Sequence, residues 1–159
     1  MFEKILVIDD EIMSQQHTKK ILLSEGYRVD TQSGGFLGII ALKQEKADLV
    51  LLDINMPEQD GIETFKHIRA IEGLEDVPIV FLTASGNSGD VATAALLGAV
   101  DYIKKPFQPE ELLKRVRRVL DKDKISKIES GKMDIRMVLW VIRFPWRLGL
   151  LQWRMLMMP

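Results

Sequence analysis

Short apolar runs recur along the first 120 residues at Ile5–Ile8, Tyr27–Thr31, Leu49–Leu52, Ile79–Leu82 and Tyr102–Ile103. The third and fourth are apolar on consecutive rather than alternate positions, the pattern of strands buried on both faces. Helix-length segments separate them. Glu11–Ser24 carries Ile12, Ile21, Leu22 and Leu23 and stops before Gly26, a residue suited to close a helix. After Gly61, Ile62, Phe65, Ile68 and Ile71 fall at helical spacing, with Arg69 among them. Pro109-Glu110-Glu111 opens the last helix, where proline's fixed φ and acidic side chains suit a helix start. Leu112, Leu113, Val116, Val119 and Leu120 then form one stripe, with Lys114, Arg115, Arg117 and Arg118 outside it. The second helix is the weakest element, because Gly34, Gly35 and Gly38 each lower helix propensity, by ~1 kcal/mol at an interior position. Five strands alternating with five helices predict an α/β fold, a doubly wound parallel sheet covered on both faces.

Composition adds limits. The chain has 159 residues, 47% hydrophobic and 28% charged, with 22 basic and 23 acidic side chains. These are ordinary globular values and give no compositional case for nucleic-acid binding. The absence of cysteine excludes a disulfide scaffold, a zinc ribbon and a thiol nucleophile. No apolar run reaches the ~20 residues of a membrane-spanning helix, and the start carries no secretory pattern, so a cytoplasmic protein is expected. Charge is uneven. Residues 1–125 hold 16 basic and 21 acidic side chains, net −5, whereas residues 126–159 hold 6 and 2, net +4, with all three Trp and five of the eight Met. The expected division is a first domain over 1–121, a polar linker over 122–132 and an atypical Trp/Met/Arg-rich tail over 133–159.

In a doubly wound sheet the ligand crevice lies beyond the carboxyl ends of the strands. Those ends carry Asp9-Asp10-Glu11, Asp53, Thr83-Ala84-Ser85 and Lys104-Lys105-Pro106. Clustered carboxylates raise one another's proton affinity, and a divalent cation relieves the repulsion; oxygen donors favour Mg²⁺. Lys105 is a point charge suited to a phosphoryl oxygen, Thr83 can donate a hydroxyl to another, and the small Ala84 leaves room. There is no GxxxxGK[ST] loop, no GxGxxG turn and no histidine at this rim. Such a site is suited to hold a phosphoryl group on a carboxylate, as an acyl phosphate.

Asp9-Asp10, the segment Asp53-Ile54-Asn55-Met56-Pro57, Leu82-Thr83-Ala84, and Gly98 through Phe107 resemble the receiver domain of two-component response regulators. The intervals agree, with Thr83 lying 30 residues after Asp53 and Lys105 lying 22 after Thr83. The resemblance covers residues 3 to 121. It implies a flavodoxin-like (βα)5 fold with strand order 2-1-3-4-5. It makes Asp53 the phosphoacceptor, supplied by a sensor histidine kinase or phosphotransfer protein. Asp10, Asp53 and the backbone carbonyl of Asn55 would ligate Mg²⁺, with Asp9 acting through a water. Thr83, Ala84 and Lys105 would meet the phosphoryl group, and Thr83 with Tyr102 would form the switch. Asn55 and Ser85 would tune dephosphorylation, and Pro106 would follow a cis bond. Output would pass through the face of helix 4, strand 5 and helix 5, to a protein target or as a homodimer. The protein would catalyse only its own phosphorylation and dephosphorylation.

Plainer readings exist for single residues. Asp9 and Asp10 could cap a helix, Asp53 could belong to a turn, and Thr83 could be an ordinary strand-end residue. Lys104 and the basic stripe of the last helix read as solvated charges, and His17 and His67 as exposed residues without a ligand role. Two alternatives apply to the whole domain. A haloacid-dehalogenase-type phosphohydrolase would need its nucleophile on strand 1 and a second Asp two residues on, where this chain has Glu11. A receiver-like interaction module without phosphotransfer would not need the full set Asp9, Asp10, Asp53, Thr83 and Lys105. The tail admits three readings: a membrane-interface or partner-binding segment, a surface that packs on the receiver or a second copy, or an aberrant or truncated end. About 35 residues are too few for a winged-helix output domain, so no direct DNA binding is expected of this chain.

Overall fold

A computed structural model describes residues 2–84 and 88–132, together with 136, 139 and 143. Five strands alternate with five helices: β1 (Lys4–Ile8), α1 (Ile12–Ser24), β2 (Arg28–Gln32), α2 (Gly35–Gln44), β3 (Leu49–Asp53), α3 (Gly61–Arg69), β4 (Ile79–Thr83), α4 (Ser88–Leu97), β5 (Asp101–Lys104) and α5 (Pro109–Glu129). All strand pairs are parallel, in the order β2-β1-β3-β4-β5. Every residue of β3 and β4 is buried, which is why their apolar positions run consecutively.

The period of two along β1 divides the core. Ile5 and Val7 face one layer, with Ile21 and Leu22 of α1 and Leu112, Val116, Val119 and Leu120 of α5. Leu6 and Ile8 face the other, with Leu42 of α2, Phe65 and Ile68 of α3 and Ala94 of α4. Burial of each such side chain contributes about 1.5–3 kcal/mol, so the inner strands are the most strongly fixed part of the fold. The carboxyl ends of these strands, where the ligand crevice of a doubly wound sheet lies, are therefore anchored in the core.

Several local departures from the pattern have physical causes. α1 ends two residues before Gly26, whose φ is +87°; the Gly26 and Tyr27 N–H groups donate to the Leu23 and Leu22 carbonyls. Tyr27 is thereby used to close the helix, and β2 starts at Arg28 rather than Tyr27. Within α1, Ile12 is 70% and Leu23 49% exposed, while Gln15 and Thr18 are buried. The helix turns a partly polar face inward because β1 ends in a buried carboxylate on that side.

The glycines of α2 serve close packing. A Cβ at Gly38 would lie 2.3 Å from Ile8 Cδ1, and one at Gly35 would lie 2.0 Å from Thr64 Oγ1. Asp60 caps α3 by accepting the Glu63 N–H at 2.8 Å, and Gly61 is the first helical residue. The polar stretch from Asp121 to Lys124, expected to open a linker over 122–132, is helical, since α5 extends to Glu129. An Asp123–Lys127 pair at 2.6 Å supports that last part, and Gly131 at φ +72° follows its end. Phe2–Leu120 forms one compact unit, and the described residues from Asp121 onward belong to another. The tail readings for 133–159 fall almost entirely outside the described residues.

Candidate functional site

The carboxyl ends of β1, β3 and β4 and the loop after β5 meet at one rim. Main-chain bonds set the ends in register. The Asp9 N–H donates to the Gln32 carbonyl at 3.0 Å, Ile54 N–H to Leu82 at 3.0 Å, and Lys105 N–H to Thr83 at 2.7 Å. The Lys105–Pro106 peptide bond is cis. Phe107, one residue on, is buried in the α1–α5 layer and stacks on His17 at 6.0 Å between ring centres.

Carboxylate oxygens of Asp9, Asp10 and Asp53 lie within 4.8 Å of one another. Asp9 and Asp53 are buried and Asp10 is exposed. Lys105 Nζ reaches between the buried pair, 2.6 Å from Asp9 Oδ2 and 3.4 Å from Asp53 Oδ2. Asp53 Oδ1 accepts the Asn55 N–H at 3.1 Å. Gly61 is essential to this loop: its N–H donates to the Ile54 carbonyl at 2.8 Å, and a Cβ there would lie 2.3 Å from the Asp53 carbonyl oxygen. The backbone of α3 therefore packs directly on the residue that ends β3.

Burial pushes the Asp53 carboxyl up, and the neighbouring Asp9 adds to the rise. Lys105 and the Asn55 N–H oppose it, and the balance leaves Asp53 at about 6 rather than the ordinary 3.8. Three carboxylates against one ammonium leave an excess of negative charge in a partly desolvated pocket. The donor set is all oxygen, and it fits a hard divalent cation such as Mg²⁺.

Other residues singled out in the sequence are placed less centrally. Thr83 ends β4 and is buried, while Ala84 beside it is exposed. Ser85 lies outside the described residues. Asn55 is exposed, and its main chain follows the loop past Asp53. Tyr102 is 40% exposed, with the Arg115 guanidinium 6.0 Å from its ring centre. Arg115 and Arg118 both pair with Asp101, at 2.8 and 2.6 Å. His17 and His67 are exposed, and the His67 ring nitrogen lies 2.7 Å from the Gln59 amide.

Sequence reasoning missed the polar inner face of α1. Ser14 Oγ donates to Asp9 Oδ2 at 2.7 Å, and Gln15 Nε2 donates to the Asp9 carbonyl at 3.2 Å. A signal was available, since polar residues stand at 14, 15 and 18 where a helix packed on a sheet would ordinarily be apolar.

Residues 5–117 match the family model of the response regulator receiver domain. The chain belongs to the response regulator receiver family. Receivers of this family operate in two-component systems, interact with histidine kinases and bind Mg²⁺ at an acidic pocket. The chain is similar to the DNA-binding response regulator MtrA of Mycobacterium leprae, at 38% identity over 138 residues, covering 85% of this chain and 60% of MtrA. It is similar in structure to the chemotaxis protein CheY4 of Vibrio cholerae, with 31% identity and a TM-score of 0.72 over 75% of this chain and 99% of that one. The receiver domain of the sensor histidine kinase PA1611 of Pseudomonas aeruginosa, solved with magnesium in its active-site cleft, gives 31% identity and a TM-score of 0.71, covering 76% and 99%. The receiver chain spans about half the length of the curated relatives it matches. Among its described residues, no helix is long and apolar enough to cross a membrane.

Proposed function

We propose that this receiver accepts a phosphoryl group on Asp53 from a phosphohistidine of a sensor kinase or phosphotransfer protein. The observation that carries the reading is Lys105 Nζ spanning Asp9 and Asp53 beside Asp10, an ammonium set where a phosphoryl oxygen would need it. An Asp53 carboxylate oxygen forms the new P–O bond as the donor's P–N bond breaks, and the leaving imidazole is protonated from solvent. The product is an acyl phosphate. Asp10, Asp53 and the Asn55 carbonyl would hold Mg²⁺, with Asp9 acting through a water; the ion, when bound, neutralises charge on the transferring phosphoryl oxygens. Lys105 and the Thr83 hydroxyl would bind those oxygens, with Ala84 leaving them space and the residues at 55 and 85 setting the lifetime. The protein residues thus supply position and electrostatics rather than covalent chemistry.

The output follows from differential binding: a phosphoryl group on Asp53 favours whichever arrangement of Thr83 and Lys105 contacts it, and Tyr102 follows Thr83. The face of α4, β5 and α5 would carry the change to a protein partner or a second copy. Exposed Leu96, Val100 and Tyr102 beside the Asp101 charge cluster support that surface. The relative MtrA is named a DNA-binding response regulator, and the match to it covers 60% of MtrA. The test uses the intact chain with a small-molecule phosphodonor and Mg²⁺, read by mass spectrometry. One phosphoryl group is expected on the parent and none on Asp53→Asn; equal labelling of both would refute the assignment.

A further inference from the structure

The buried Asp9 is held more completely than the other two carboxylates. It is 0% exposed, and its Oδ1 accepts the Glu11 N–H at 3.0 Å. Its Oδ2 accepts two donors at once, Ser14 Oγ at 2.7 Å and Lys105 Nζ at 2.6 Å. Lys105 therefore stands closer to Asp9 than to Asp53, which it must serve when a phosphoryl group arrives. To do so it has to loosen its shorter bond. A buried carboxylate oxygen left without a donor is costly, more so than a neutral acceptor in the same place.

Ser14 is placed to remove that cost. It lies in the first turn of α1, and side-chain bonds tie its own carbonyl and the Asp9 carbonyl before it. Thr18 Oγ1, itself fully buried, donates to the Ser14 carbonyl at 2.9 Å, and the buried Gln15 amide holds the Asp9 carbonyl. The hydroxyl thus stays on Oδ2 whether or not Lys105 does.

Resting on the phosphoacceptor reading, we propose that Ser14 is a positioning residue that keeps Asp9 satisfied so that Lys105 can transfer to the phosphoryl group on Asp53. A hydroxyl bonded to a charged group is worth enough that its loss changes the transfer by about tenfold. The consequence is selective. Removal of the Ser14 hydroxyl strengthens the hold of Asp9 on Lys105 and weakens binding of a phosphoryl group, while leaving the carboxylates that face a cation unaltered in number and charge.

The experiment measures affinity for beryllium fluoride, a stand-in for a carboxylate-bound phosphoryl group, at saturating Mg²⁺, and Mg²⁺ affinity alone by calorimetry. Parent, Ser14→Ala and Ser14→Thr are compared on the full chain. Ser14→Ala is expected to bind beryllium fluoride about tenfold more weakly, with Mg²⁺ affinity within about threefold of the parent, and Ser14→Thr to recover most of the loss. The proposal is overturned if Ser14→Ala binds beryllium fluoride as the parent does. It is equally overturned if Mg²⁺ affinity falls by the same factor, or if Ser14→Thr fails to recover. A parent that binds neither probe refutes the phosphoacceptor reading itself, and the present inference with it.

Discussion

Replacing Asp53 with Asn removes one negative charge from a buried pocket and leaves an acceptor for the Asn55 N–H. Asp53 sits at about 6 in the folded protein against an ordinary 3.8, so the native state binds this proton more tightly than the unfolded chain does. Stability associated with the group is fully present below about pH 4 and is lost as pH rises to about 6. The separation is about two pH units at ~1.4 kcal/mol each, so ionised Asp53 costs about 3 kcal/mol at pH 7.5. In chelator at pH 7.5, Asp53→Asn should be more stable than the parent by up to about 3 kcal/mol. With slopes of ~1–3 kcal/mol/M, that raises the urea midpoint by about 1 M or more. At pH 4 the two proteins should unfold within about 1 kcal/mol of each other, because the parent carboxyl is then largely protonated. Saturating Mg²⁺ should narrow the gap at pH 7.5 by stabilising the parent. A variant less stable than the parent at pH 7.5, or one with the same gain at both pH values, would refute the electrostatic reasoning.

Three further outcomes follow from other parts of the molecule. Gly61→Ala places a Cβ against the Asp53 backbone, which cannot yield as a side chain tip could; a loss of about 2–3 kcal/mol in urea unfolding is expected, together with weaker Mg²⁺ binding. Arg69→Ala removes donors to the Leu74 and Val77 carbonyls and a cation 4.8 Å from the Phe65 ring centre, so thermal unfolding should show a loss of about 2–3 kcal/mol. Because protons compete for Asp53 near pH 6, the rise in melting temperature produced by Mg²⁺ should be larger at pH 7.5 than at pH 5, and calorimetry at several pH values should show release of about half a proton on binding at pH 6 and close to one at pH 5.

The inner strands were legible because burial on both faces leaves a consecutive apolar run, as in Leu49–Leu52 and Ile79–Leu82. The strand ends that carry Asp9, Asp53 and Thr83 followed from the same register. Helix details were less legible. Ile12 and Leu23 suggested an apolar inner face for α1, but the buried Asp9 requires donors there, and Ser14, Gln15 and Thr18 take those positions. Gly35 and Gly38 looked like weaknesses in α2 because propensity is local, whereas their contacts with Thr64 and Ile8 cross the fold. The continuation of α5 through the polar run after Leu120 was not legible, because polarity alone does not end a helix; the Asp123–Lys127 pair shows how charged residues continue one. Asp10 was grouped correctly with its neighbours, but its exposure beside two buried carboxylates depends on loop direction, which spacing does not encode.

Asp53, rather than Asp9 or Asp10, is the proposed nucleophile. The intact chain, treated with a small-molecule phosphodonor and Mg²⁺, can be trapped with borohydride, which reduces an aspartyl phosphate to homoserine, and then mapped by peptide sequencing. Homoserine is expected at position 53 alone. Conversion at Asp9 or Asp10, or no conversion at Asp53 in a preparation that binds Mg²⁺, would rule out Asp53 as the phosphoacceptor.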